Sequence, residues 1–122
     1  MAIVVERSFT VERGSARKFE QLSREGVWPY MEARGCKILG LFVIIHGGPS
    51  DEIILLTAYD SMAHWESTRD DVAPPPETSS EAKALYPAFR DALTARRDLT
   101  KVTSTRVLRP ITNWVEIPVH PG

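Results

Sequence analysis

The chain lacks most of the features that announce a particular chemistry. One cysteine, Cys36, stands alone in 122 residues. No internal disulfide can form, and a reducing, cytoplasmic setting is the expectation. Cys36 reads as a small apolar side chain entering a strand rather than as a reactive thiol. No run approaches the roughly 18 apolar residues of a membrane span. Met1–Arg7 has neither the basic flank nor the long apolar core of a signal peptide. No charge sign dominates: 15 Lys and Arg stand against 16 Asp and Glu, a net charge of −1. That argues against a nucleic-acid or membrane-surface binder, which needs clustered basic residues. His46, His64 and His120 share no metal-ligand spacing, so no metal is expected. Gly47-Gly48-Pro49 opens no helix, so it is not a phosphate loop. There is no nucleophile elbow, no internal repeat, and no feature that implies a cofactor.

What is present is a pattern of strands and helices in one domain-sized chain. Such a chain buries roughly two-thirds of its unfolded surface and holds a core without staples. Ala2–Val11 alternates, with Ile3, Val5, Phe9 and Val11 on one side and Glu6, Ser8 and Thr10 on the other, which predicts a strand. Gly14-Ser15 breaks it and offers a helix cap. Phe19, Leu22, Val27, Tyr30 and Met31 then line one face of a helix over Ala16–Ala33, with Pro29 expected to kink or shift it and Gly35 to stop it. Two short β-branched runs, Ile38–Ile45 and Ile53–Tyr59, flank a Gly47–Asp51 turn and read as a hairpin. Asp60-Ser61 starts a short helix to Asp70. Ala73–Ser80, with three consecutive prolines, is a loop. Thr78 and Glu81 have the spacing of a capping box for the next helix. Pro87 limits that helix or restarts it, and Phe89, Ala92 and Leu93 carry its apolar stripe to about Arg97. Lys101–Arg109 is the last strand, ended by Pro110. The domain therefore spans residues 1–110, and 111–122 form a tail whose Trp114, Val115 and Ile117 are expected to pack on the domain or a partner subunit.

The order strand, helix, strand, strand, helix, strand predicts a ferredoxin-like α+β fold: a four-stranded antiparallel sheet with helices on one face. The hairpin strands are apolar on both sides. Leu39, Leu41, Val43 and Ile45 alternate with Ile38, Phe42 and Ile44, so the face without helices needs a cover. A second copy of the same sheet supplies it, which predicts a homodimer, the dimeric α+β barrel.

Several segments together resemble the NIPSNAP family of that superfamily. They are Arg7-Ser8-Phe9-Thr10 ahead of Gly14, Gly26-Val27-Trp28-Pro29, and Gly35 with Leu39, Gly40 and Phe42. Gly48-Pro49, Ala58-Tyr59-Asp60-Ser61, Glu66 with Arg69, and Arg106-Val107-Leu108 ahead of Pro110 complete the set. Two positions depart from the family pattern: Arg13 stands where a proline is usual, and Leu55-Leu56-Thr57 where a tryptophan often occurs. The resemblance implies a small organic ligand between sheet and helices. Many NIPSNAP members have no known reaction. The wider superfamily includes cofactor-independent monooxygenases, cyclases and isomerases, and haem-degrading enzymes. Fold alone does not choose among these, and a non-enzymatic dimeric interaction protein is the competing reading.

Arg7 is the sharpest local anomaly, a guanidinium in the apolar row of the first strand. It anchors an anionic or carbonyl oxygen, or it forms a buried ion pair. Arg106 poses the same question on the last strand. His46, at the end of the second strand, is an acid–base candidate or an exposed strand end. Tyr30, Tyr59, Trp65 and Trp28 are cleft walls or ordinary core. Arg7, Tyr30, His46, Tyr59, Trp65 and Arg106 are thus the candidate ligand-binding residues, with no catalytic residue assigned.

Overall fold

A computed structural model describes residues 2–69 and 73–112. Strand β1 (Ile3–Val11) leads to helix α1 (Ala16–Leu22), which runs through a π-helical turn, Ser23–Val27, into α2 (Trp28–Ala33). The hairpin β2 (Lys37–Val43) and β3 (Glu52–Tyr59) follows, then α3 (Met62–Ser67), α4 (Ser80–Leu99) and β4 (Thr100–Leu108). The sheet is antiparallel in the order β2-β3-β1-β4. This is the expected α+β arrangement. The first and last strands pair along their length.

The faces follow from register. Ile3, Val5, Phe9 and Val11 point to the helices with Ile53 and Leu55 of β3 and are buried. Phe9, Val11, Phe19, Ile53 and Leu55 form one core beneath α1, and Val27, Tyr30, Ala82, Phe89 and Ala92 a second between α2 and α4. Strand β2 corrects the simple alternation. Its register shifts between Ile38 and Gly40, so Ile38 and Leu41 both pack toward the helices, while Phe42 stands opposite Ile54 on the other face. A bulge inserts one residue and reverses the parity beyond it. The strand also ends at Val43, leaving Ile45 96% exposed in the connection.

The helices refine or correct further expectations. Pro29, expected to kink or shift the first helix, shifts it without ending it. It withholds a donor from the preceding turn, and the backbone widens there: the Trp28 N–H donates to the Ser23 carbonyl, five residues back. This is a π-bulge. Gly26 lies in it and lets α4 approach; a Cβ there would sit 2.5 Å from Ala92 Cβ. Pro87 is absorbed inside a single helix of 20 residues. Ser79, rather than Thr78, caps α4, its hydroxyl accepting from the Ala82 N–H at 3.2 Å. Ser15 holds the N-cap position of α1 without a side-chain cap bond, whereas Ser61 accepts from the His64 N–H at 3.0 Å and caps α3. No described helix is long and apolar enough to cross a membrane. The expected packing of Trp114, Val115 and Ile117, and His120 with them, lies outside the described residues.

Candidate functional site

A cavity of ≈ 140 Å³ lies between the helix-facing side of the sheet and helices α2 and α4. Its apolar wall comes from Val27, Tyr30 and Met31 on one helix and Phe89 and Leu93 on the other, with Leu55 of β3 as floor. Its polar wall is unusual. Arg7, Arg34, Arg69, Arg90, Arg96 and Arg97 all line it, and no described Asp or Glu does.

The two innermost arginines hold the geometry. Arg7 projects from β1 between Leu55 of β3 and Thr105 of β4. One of its terminal nitrogens donates to the Thr103 hydroxyl at 3.3 Å, and its Nε is buried with no hydrogen-bond partner. Arg96 enters from α4 and is 5% exposed. Its Nε and Nη1 are likewise buried and without a partner. Its guanidinium sits 4.4 Å from the Phe19 ring centroid and 5.0 Å from that of Phe9. Aromatic faces attract a cation, but they do not satisfy its N–H groups as an oxygen would. Burial, and then the charge of Arg7, push the Arg96 pKa down to about 9. Burial, followed by the Arg69 charge, lowers that of Arg7, with Arg97 acting the same way. Both remain cations at neutral pH. Among the described residues no carboxylate pairs with either.

A hydroxyl–thiol cluster occupies another part of the cavity wall. Cys36 shares hydrogen bonds with the side chains of Tyr59 and Thr57. Burial pushes the Cys36 thiol up to about 11 and the Tyr59 phenol to about 12. Both therefore stay protonated near neutrality and serve as neutral hydrogen-bonding groups, not as a base or nucleophile. The cavity can hold an anionic or developing oxyanionic ligand electrostatically, and among the described residues no histidine lies on its wall.

Of the residues singled out from the sequence, Arg7, Tyr30 and Tyr59 line this cavity. The other three lie elsewhere. His46 lies in the exposed connection after β2, because the strand stops at Val43. Trp65 packs against the Ile3, Val5, Cys36 and Tyr59 cluster, its ring 4.9 Å from the Arg69 guanidinium carbon. Arg106 is on the opposite face of the sheet. It stands across from Glu6 and donates to both its carboxylate oxygens at 2.7 and 3.0 Å. Sequence reasoning missed Arg96. The signal was available: Phe89, Ala92 and Arg96 follow helical spacing, which places Arg96 on the buried stripe. Arg34 is largely structural. It donates to the Thr78 hydroxyl at 2.7 Å and the Ser67 carbonyl at 2.6 Å, tying two loops to α2. His64 also joins elements: its Nδ1 accepts from the Asp60 N–H at 3.1 Å, so Nε2 carries the proton given to the Arg34 carbonyl at 2.8 Å.

Among the described residues no group of three or more His, Cys, Asp or Glu is placed to hold a metal ion.

Comparison with known proteins agrees with this fold. The NIPSNAP family model matches residues 4–112. No curated protein matches the chain by sequence. Among solved structures, a NIPSNAP family protein of Agrobacterium tumefaciens is 23% identical, with a TM-score of 0.61 over 89% of this chain and 85% of that one. An uncharacterized NIPSNAP-like domain protein of Burkholderia xenovorans is 17% identical, with a TM-score of 0.65 over 91% and 86%. SnoaB, a cofactor-independent oxygenase of Streptomyces nogalater, is 14% identical, with a TM-score of 0.55 over 91% and 94%.

Proposed function

The chain belongs to the NIPSNAP family, and from that premise we propose that it binds a small organic anion in the cleft between sheet and helices, as a symmetric homodimer. The observation that carries the proposal is a pair of guanidinium groups, Arg7 and Arg96, that line the cavity and have buried nitrogens without a hydrogen-bond partner. A buried cation without a counter-charge costs several kcal/mol, and a bound oxyanion offsets that cost. Tyr30, Phe89 and Leu93 supply an apolar seat for the ligand's body. Should the site catalyse a reaction, its arginines suit stabilisation of an enolate or similar oxyanion. That is chemistry of the isomerase, cyclase or cofactor-independent oxygenase kind. The cofactor-independent oxygenase SnoaB shares the fold.

The dimer reading rests on the other face of the sheet. Phe42, Val102 and Leu108 are 49%, 62% and 39% exposed there, beside Ile54 and Leu56. A non-enzymatic interaction protein would use the same face, but it would leave the arginine-lined cavity without a role.

The test is thermal melting with and without a millimolar small carboxylate or phosphate ester. Ligand at about 100 times its Kd stabilises the native state by about 2.7 kcal/mol. Wild type should gain stability, Arg7→Met should gain none, and Arg7→Lys should recover part of the gain, since an ammonium cannot make the bidentate contact. An Arg7→Met protein that is merely less stable, yet gains as much from the anion as wild type, would make Arg7 structural.

A further inference from the structure

That the cleft takes an anion leaves the ligand's charge open, and the following step rests on that reading. Two guanidinium groups with buried, unpartnered nitrogens line the cavity. Arg7 arrives from the sheet and Arg96 from α4, and each guanidinium carbon lies 5.0 Å from the centroid of the same Phe9 ring. They are therefore at most twice that distance apart. Between them three buried nitrogens have no hydrogen-bond partner: Nε of Arg7, and Nε and Nη1 of Arg96. Holding two such cations together raises the energy of the empty site, and the charge of Arg7 adds to burial in disfavouring the Arg96 cation. A monoanion balances one of them. We infer that the ligand of this cleft is a compact organic dianion whose charged oxygens are shared between Arg7 and Arg96.

Size and access agree with this inference. A cavity of ≈ 140 Å³ is close to the roughly 150 Å³ that accommodates benzene in an engineered protein. The apolar body is therefore about one six-membered ring or a short chain. Arg69 and Arg97 are exposed residues on the same cavity wall. Charges of one sign around an opening steer an anion inward and concentrate it there. Tyr59 and Cys36 add protonated hydroxyl and thiol groups to that wall, which hydrogen-bond ligand oxygens without repelling them. A phosphate monoester and a short dicarboxylate share the required chemistry.

Titration calorimetry on the full chain, in low-chloride buffer at about pH 8, separates the possibilities with four ligands built on one ring. They are phenyl phosphate and phthalate (dianions), benzoate (a monoanion) and benzamide (neutral). At least one dianion should bind about tenfold or more tightly than benzoate, and benzamide should not bind. Whichever dianion wins identifies a phosphate ester or a dicarboxylate. In Arg96→Met the dianion should fall to the affinity of benzoate. That variant, free of ligand, should melt no lower than wild type, because it loses an unpaired buried charge and keeps an apolar side chain of similar length. Benzoate binding as tightly as both dianions would overturn the dianion and leave the small-anion reading intact. Failure of all three anions, or equal binding of benzamide, would overturn both. An Arg96→Met protein that melts well below wild type and still prefers the dianion would show Arg96 to be structural and end the inference.

Discussion

Cys36 is 5% exposed, and burial, despite bonds from Tyr59 and Thr57, holds its pKa at about 11 against a usual 9.0. The thiol should therefore be inert to a disulfide reagent at neutral pH in the native protein and react fully in denaturant. Fast native labelling would contradict its place in the wall. The same shift sets a pH dependence. A raised acid keeps its proton in the folded state while the unfolded chain loses it, so its stabilising contribution is whole below about pH 9 and is lost as pH rises toward 11. Cys36→Ser should flatten denaturant-measured stability across that window, and an unchanged slope would refute the account. Arg96 has the opposite sign. Its depressed pKa means that the cation destabilises the ligand-free fold below about pH 9, where an anion has most to offer. Of this site the sequence showed Arg7, because a charge in an apolar period-two row is visible. It hid Arg96, because an arginine near a helix end looks like ordinary dipole compensation until the helix is known to run unbroken through Pro87.

Among the elements, the contact of the π-turn with α4 sets the width of the cleft's helical wall. Gly26→Ala puts a methyl 2.5 Å from Ala92 Cβ and 3.1 Å from the Ala88 carbonyl oxygen. It should destabilise the protein by about 1–3 kcal/mol in chemical denaturation. Adding Ala92→Gly should recover part of that loss, less about 1 kcal/mol for glycine within a helix. A neutral single variant would mean that the helices do not meet at Gly26. Ser79→Ala should cost about 1 kcal/mol through the lost cap, whereas Thr78→Ala should act by removing one hydrogen-bond acceptor from Arg34. The strands were legible because β1 and β3 alternate or run apolar between clear turns. The bulge in β2 was not, since an inserted residue leaves no mark in a continuous apolar run. Pro87 and Pro29 were visible as interruptions. Their outcome, a through-going helix in one case and a π-turn in the other, was decided by tertiary packing that local propensity does not encode.

For the whole molecule, the two sheet faces divide the work. The helix-covered face carries the cleft; the other carries Phe42, Val102 and Leu108, exposed around the Glu6–Arg106 pair and the Ser8–Glu52 hydrogen bond. Phe42→Arg should yield a monomer, or an unfolded chain, by light scattering at micromolar concentration, because a charge would be trapped between two sheets. A wild-type protein that is a folded monomer there would refute the dimer. The fold was legible in the order of elements alone. The cleft's chemistry was not, because its arginines come from β1, the end of α2, the segment after α3, and α4, brought together only by the fold. The most direct measurement is a crystal structure of the protein grown with phenyl phosphate or phthalate. The account predicts density for the ligand in the cavity, with its charged oxygens within hydrogen-bond distance of Nε of both Arg7 and Arg96. A cavity filled by the protein's own side chains, with those nitrogens paired to a carboxylate of the chain, would contradict it.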